Sequence, residues 1–299
     1  MGGEAAFAGA LGDDAAADTL LRVFADVGVD TALTRKLQSH PTRQVLVTRK
    51  VDGDREFAGF ENFRSSNAFA DCYYELDERD ADRIIAQRTD AVVMGTLGLV
   101  HGPTATSMRT LAALVRRGTA NHAPPPLLVA DVNWRKAFWQ EVDEAAARRE
   151  IAAFITDADV VKLTDQEANF LYGIDAATAL TDPERVFTRV GARTGVLVTA
   201  GELGASFYFR DVGAGHQTAY AVDVVETTGA GDAFTAGFLK ALLSSPGGSE
   251  AASGWTLEEM CGALDMACAA GALTCTRPGA IAAQPRLNEI LALMATRHF

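Results

Sequence analysis

Cysteine is scarce, at four in 299 residues. There is no Cys-x-x-Cys pair, and the density is far below that of small secreted domains, which excludes a disulfide scaffold and points to a reducing compartment. Cys261, Cys268 and Cys275 are spaced by seven and are expected to line one helix face as small buried hydrophobes. Positive charge is short as well. Thirty-nine acidic residues face 27 Lys and Arg, a formal net charge of −12, and no basic run exceeds two residues. The surface as a whole is therefore a poor partner for DNA or RNA. Phosphate chemistry, if present, has to be local, where backbone N–H groups and a metal outweigh the negative average. No run of 18 apolar residues occurs, so no membrane-spanning helix is expected. The five histidines show no metal-ligand or triad spacing, so His-based catalysis finds no support.

What is present is a chain of 48% apolar and 22% charged residues, a globular composition that excludes collagenous, coiled-coil and disordered classes. Met1 runs straight into GGEAAFAGALGDD, which reads as a strand from Glu4 to Ala10 and not as a signal or transit peptide. The chain is expected to begin inside a domain. Asp13 or Asp14 caps the following helix, Leu20, Leu21, Phe24 and Val27 form its apolar stripe, and Gly28 ends it. DAVVMG (90–95), LLVADVN (127–133), DVVKL (159–163) and GVLVTA (195–200) are short apolar runs between helical patterns. They predict buried parallel strands whose C-terminal ends open onto a crevice. RQVLVTRKVDGDREFAGF instead alternates with period two around Asp52-Gly53, a hairpin signal. A ribbon with charged ends, set between βα units, is placed over a site as a flap rather than within the sheet. The reading is one domain, 1–299, with a lid hairpin at 42–62.

The segment richest in chemistry is ETTGAGDAFTAGFLKALL, 226–243. A strand-like YAVDVVE leads into Thr227-Thr228-Gly229-Ala230-Gly231-Asp232, and a helix follows with Phe234, Phe238, Leu239 and Leu242 at helical spacing. Two glycines around an alanine at a helix start allow a tight turn that aims N–H groups at one point, an anion site backed by the helix dipole. Asp232, in the first turn, is placed to take a proton from a hydroxyl while that site holds the charge on a transferring phosphoryl group. The alternative is a glycine-rich turn whose Asp only complements the dipole.

TTGAGD followed by AFTAGF resembles the signature of the PfkB (ribokinase-like) family of carbohydrate and nucleoside kinases. The resemblance implies a ribokinase-like three-layer α/β sandwich, with a mostly parallel doubly wound sheet and a small β lid. It implies that Gly229, Ala230 and Gly231 form the anion hole and that Asp232 is the catalytic base; Glu226 stands where the family usually has Asp. VKLTDQEANFLYG resembles the family's Asn-x-x-Glu segment, with Thr164 in place of Asn and Glu167 kept to organise Mg²⁺ and phosphate. Thr-x-x-Glu is also a capping box for a helix from Asp165 to Leu171, and the two roles are compatible. VLVTAGELGASFYF resembles the nucleotide strand and turn, with Thr199, Gly201 and Gly204, joined by Thr228, beside the nucleotide. AAGALTCTRPGAIAAQP resembles the adenine-side wall, making Gly271, Thr276 and Gly279 candidate contacts. DVNWRKAFW resembles the DxNxR stretch of fructokinase-like members, so Asn133 and Arg135 are assigned to sugar or phosphate; Trp134, Phe138 and Trp139 are expected in the core. The hairpin, with Gln44, Arg49, Phe57 and Phe60, resembles the family lid that excludes water, and Gln44 is assigned to the substrate.

The implied reaction moves the γ-phosphoryl of ATP to a sugar hydroxyl with Mg²⁺, and the family adds a monovalent cation and a homodimer formed through the lid. The implied partners are small molecules, with no nucleic acid and no membrane. By resemblance, the family's first strand, with its sugar-binding Asp and a Gly-Gly-x-x-x-Asn segment, precedes the position matched by Met1, so the domain is expected to be N-terminally incomplete. The site is expected to be intracellular, with cytoplasm and plastid not distinguished. Two rival readings stand beside the sugar kinase. One is a nucleoside kinase of the same family, and the other a catalytically impaired, kinase-like interaction protein.

Overall fold

The computed structural model describes every residue except 50–54, 61–64, 78, 81–82, 85–88, 118–124, 246–253 and 299. The chain opens with β1 (Ala6–Gly12), α1 (Ala15–Asp26) and β2 (Asp30–Leu37), then an antiparallel ribbon of β3 (Val45–Arg49) and β4 (Arg55–Phe60). A βα series follows: β5 (Ala91–Gly95), α2 (Gly102–Arg117), β6 (Leu127–Asp131), α3 (Glu144–Ile155), β7 (Val160–Thr164), α4 (Asp165–Tyr172), α5 (Ala176–Thr181), α6 (Pro183–Val190) and β8 (Gly195–Thr199). After the hairpin strands β9 (Ala205–Phe209) and β10 (Gly213–Gln217) come α7 (Ala230–Ser244), α8 (Leu257–Cys275) and α9 (Leu287–Ala295).

Six strands make the central sheet in the order β10-β9-β8-β7-β6-β5. β5 to β8 are parallel, and β9 and β10 are antiparallel additions. All five residues of β6 are buried, and the two-residue period of a strand sends them to opposite faces. Leu128 and Ala130, with Val161, Leu163, Val196 and Val198, join the core under α2 and α3. Leu127 and Val129, with Val160, Leu197, Phe207 and Phe209, join the core under α7 and α8. Each fully buried side chain of this size is worth about 1.5–3 kcal/mol, and the two cores make the three layers, helix on sheet on helix. Among the described residues no helix is long and apolar enough to cross a membrane.

The structure departs from the sequence reading at several places. β1 does not enter the central sheet: its ladder is with β2, a parallel pair of its own. Among the described residues β5 is accordingly a sheet edge, with Val93 half-exposed. The strand expected over 220–226 is absent. Its donors serve a helix end instead, since the amides of Val225 and Glu226 both donate to the carbonyl of Cys275 at the end of α8, at 2.8 and 3.1 Å. Of the three spaced cysteines on α8, Cys268 is buried, Cys275 is partly so and Cys261 is exposed. Seven residues turn a helix almost back to the same face, so position along the helix decides burial.

The ribbon forms a sheet of its own, separate from both others; the expected Asp52-Gly53 turn lies outside the described residues. Its root is fixed by Arg43, whose side chain is 9% exposed. Nε and Nη2 donate to the two carboxylate oxygens of Asp71 at 2.7 and 3.0 Å, and Nη2 also donates to the Ser66 carbonyl. The guanidinium lies 4.5–4.7 Å from the ring centres of Phe60, Phe69 and Phe138. Phe60, at the end of β4, is a core residue, 4% exposed.

Candidate active site

The C-terminal ends of β6, β7 and β8 lie side by side, with Asp131 registered against Lys162 and Thr164 against Thr199. Just past β6 the backbone enters the left-handed region at Asn133, φ 41°, a conformation Asn tolerates better than most side chains. The turn brings the amide of Trp134 to Oε1 of Glu167, to which it donates at 2.7 Å. The other carboxylate oxygen, Oε2, accepts from the amide of Thr164 at 2.8 Å, while Thr164 Oγ1 accepts from the Glu167 amide at 3.1 Å. The capping box foreseen at Thr164 is thus present, and the same carboxylate ties the loop after β6 to the start of α4. Glu167 is 4% exposed. Burial pushes its pKa up, against the pull of the two amides and of Lys162. Arg135 donates to the Trp134 carbonyl at 2.7 Å and comes within 3.8 Å of Glu167. Trp134 stacks on Phe170 at 4.3 Å, and Phe138 and Trp139 are buried, so all three aromatics pack as expected.

Facing these strand ends is the start of α7. Gly229 is its N-cap with φ 83°. A Cβ there would meet the Ala280 carbonyl and the Gln284 amide nitrogen, both at 2.9 Å. α7 has no side-chain cap. The Ala230 amide donates to Thr227 at 3.2 Å and the Ala233 amide to Gly229 at 2.9 Å. Among the described residues the amides of Gly229, Gly231 and Asp232 have no backbone acceptor, whereas that of Ala230 is engaged by Thr227. Asp232 is exposed to solvent, yet neighbouring protein partly desolvates its carboxylate. That desolvation raises its pKa, the Asp131 carboxylate raises it further, and Lys162 and Arg135 oppose both.

The remaining candidates fall into two groups. Thr199 ends β8, and Gly201 (φ 54°) and Gly204 (φ 97°) shape the turn to β9. A Cβ on Gly204 would lie 2.0 Å from the Gln217 carbonyl. Thr276 caps α8 and Gly279 (φ 91°) turns the chain toward Gln284, whose side chain reaches the carbonyls of Gly229 and Ala280. Thr228, partly buried, leads into the helix start beside this turn. Gly271 lies inside α8, where a Cβ would come within 3.2 Å of the Ala230 carbonyl, and so lets α8 approach the first turn of α7. Gln44 is exposed just before β3.

Two residues were missed in the sequence. Lys162 and Asp131 form an ion pair at 3.1 Å, with side chains 6% and 10% exposed, between the strand ends and α7. The available signal was a lone Lys inside the apolar run VVKLT. For metal binding, no three His, Cys, Asp or Glu side chains converge among the described residues. A protein-built cage is not what Mg²⁺ beside a triphosphate uses, because phosphate and water supply most of its ligands. Glu167 fits that limited part: each oxygen has one lone pair engaged by an amide and one left over.

The pfkB family carbohydrate kinase model matches residues 1–287. Fructokinase-1 of Oryza sativa subsp. japonica is 33% identical over 294 residues, which cover 98% of this chain and 84% of the relative, and Fructokinase-1 of Zea mays is 31% identical over the same spans. Among solved structures, fructokinase from Xylella fastidiosa with bound ATP aligns over all of this chain and 87% of its own, with a TM-score of 0.81 at 24% identity. Fructokinase from Vibrio cholerae O395, bound to fructose, ADP and calcium, aligns over 98% and 86% with a TM-score of 0.76 at 24% identity. The two structures carry the ribokinase-like α/β fold. The chain belongs to the pfkB family of carbohydrate kinases and is a sugar phosphotransferase.

Proposed function

We propose that this enzyme is an ATP-dependent, fructokinase-like kinase that phosphorylates a primary hydroxyl of a ketohexose such as fructose. The observation that carries the reading is the meeting, at the ends of β6 to β8, of a carboxylate and the uncapped start of α7. Asp232 lies in the first turn of that helix, and the amides of Gly231 and Asp232 open beside it. The names of the relatives, fructokinases at 31–33% identity, support the acceptor.

In this reading the sugar hydroxyl oxygen attacks the γ-phosphorus of ATP, the bond from that phosphorus to the β–γ bridging oxygen breaks, and ADP leaves. The hydroxyl proton passes to Asp232, whose raised pKa suits it to accept. The amides of Gly231 and Asp232 and the dipole of α7 hold the charge spreading over the phosphoryl oxygens. Arg135, beside Glu167 and near Asp232, is placed for a phosphate or sugar oxygen. Mg²⁺, when bound, neutralises phosphate charge, and Glu167 would hold it through its unused lone pairs or through water. Thr199, Gly201, Gly204, Thr228, Thr276 and Gly279 line the nucleotide side; Asn133 and Gln44 serve the sugar. A second copy pairs through the ribbon, where Leu46 is exposed.

The experiment is ADP release measured with a sugar panel. Fructose-dependent turnover that needs Mg²⁺ is expected. Turnover with nucleosides and not with fructose would replace this reading by the nucleoside kinase. Nucleotide binding without any acceptor-dependent turnover would favour the kinase-like interaction protein.

A further inference from the structure

Lys162 stands where a lysine is expensive. It lies in the middle of a strand whose other residues are apolar or end the strand, with a side chain only 6% exposed. The period of β7 turns it, with Val160, to the face covered by α7. There the ammonium comes so close to the first turn of α7 that a Cβ on Gly231 would lie 2.9 Å from Nζ. A cation at the N-terminal, positive end of a helix is repelled by the dipole, and a buried charge costs far more than an exposed one. Asp131, its cross-strand partner, accepts from the ammonium with both carboxylate oxygens, at 3.1 Å each. A lysine ammonium has three N–H donors, and among the described residues it has no protein acceptor other than Asp131. A pair serving stability alone gains nothing by being set against a helix start, and buried pairs are often no better than apolar residues of the same size.

Resting on the kinase reading above, we propose that Lys162 is the cationic part of the phosphoryl-binding hole. Asp131 holds it beneath Gly231 with one N–H kept for an oxygen of the transferring group. The backbone amides of the hole carry only partial charges, and Lys162 adds a full one that is fixed before the reaction begins. Residue 231 is glycine because this ammonium occupies the space of a side chain: its φ lies outside the left-handed region, so backbone conformation does not demand glycine there. The charges facing Lys162 are Asp131 on β6, Asp232 on α7 and Glu167 on α4, and the latter two are drawn toward ionisation by it.

The test uses the full chain in three variants, Lys162→Met, Asp131→Asn and the double variant. Melting temperature, kcat and KM are measured, together with binding of ADP with and without aluminium fluoride, which mimics the phosphoryl group in flight. Lys162→Met alone leaves Asp131 buried and unpaired, so its melting temperature falls. The double variant removes both charges and recovers it. The expected result is a double variant that melts like the parent, has KM values within about threefold and has kcat lowered at least ~100-fold, the scale of losing one oxyanion-hole donor. Fluoride should tighten ADP in the parent and not in the double variant. Gly231→Ala should lower kcat in the parent background and add little once Lys162 is Met. A double variant with parental melting and parental kcat would overturn the proposal, making the pair structural. A parent that shows neither sugar-dependent turnover nor fluoride-dependent tightening would overturn the kinase reading and this proposal together, whereas a turning-over parent with indifferent variants overturns this proposal alone.

Discussion

Replacing Glu167 by Gln separates what its carboxylate does for the fold from what it does for a metal. Both oxygens accept from partly buried amides, Oε1 from Trp134 at 2.7 Å and Oε2 from Thr164 at 2.8 Å. Gln keeps a single acceptor oxygen, so its NH₂ has to face one of those two N–H groups. An unmatched buried donor costs about 1–3 kcal/mol, partly offset because Gln escapes the burial cost that raises the Glu167 pKa. An unfolding entropy of ~2.1 cal/mol/K per residue gives a chain of this length a shift of about 1.6 °C per kcal/mol, so Glu167→Gln should melt ~2–5 °C lower. Activity assayed against Mg²⁺ should show an activation midpoint moved to higher concentration as well as a lower maximum. A melting temperature equal to the parent's would refute the two-amide geometry. An unchanged Mg²⁺ midpoint at the reduced stability would leave Glu167 only its tie between the loop after β6 and α4.

Gly204→Ala places a Cβ 2.0 Å from the Gln217 carbonyl at a φ of 97°; calorimetry should show a loss larger than the ~1 kcal/mol typical of point variants, and a silent substitution would contradict that close approach. Arg43→Lys keeps the charge but gives up the two-pronged contact with Asp71 and the three-ring setting. Since Lys does not replace Arg at such sites, thermal unfolding should show a clear drop, and parental stability would remove Arg43 as the anchor of the ribbon. Asp232→Asn should raise the melting temperature at neutral pH. A carboxylate with a raised folded pKa opposes folding when ionised, so the gain should fade as the pH falls through that raised pKa toward 3.8, the value of an unperturbed aspartate. A loss of stability at neutral pH would contradict the stated surroundings of Asp232.

The parallel strands β5 to β8 were legible because continuous apolar runs need both sheet faces covered, and the uncapped start of α7 was legible in Gly229-Ala230-Gly231-Asp232. The capping box of Thr164 and Glu167 was likewise written in a four-residue spacing. Other features depend on distant parts of the chain. Residues 220–226 have a strand pattern, but their amides are taken by Cys275, some 50 positions on. The packing at Gly271 is set by Ala230 on another helix, which no neighbour in sequence reveals. Lys162 was hidden for a related reason: only the register of β6 against β7 puts Asp131 beside it and only the path of α7 puts Gly231 above it. Arg43 carried no local signal at all, since Phe60, Phe69, Asp71 and Phe138 reach it from different segments.

The most direct test of the central claim is fructose-dependent ADP release by the parent and by Asp232→Asn, with nucleotide affinity measured on both. If Asp232 receives the hydroxyl proton, the parent turns over with fructose, and the variant binds nucleotide within about threefold of the parent while its turnover falls at least ~100-fold, the usual scale for a general base. A variant that phosphorylates fructose at the parental rate would contradict the assignment.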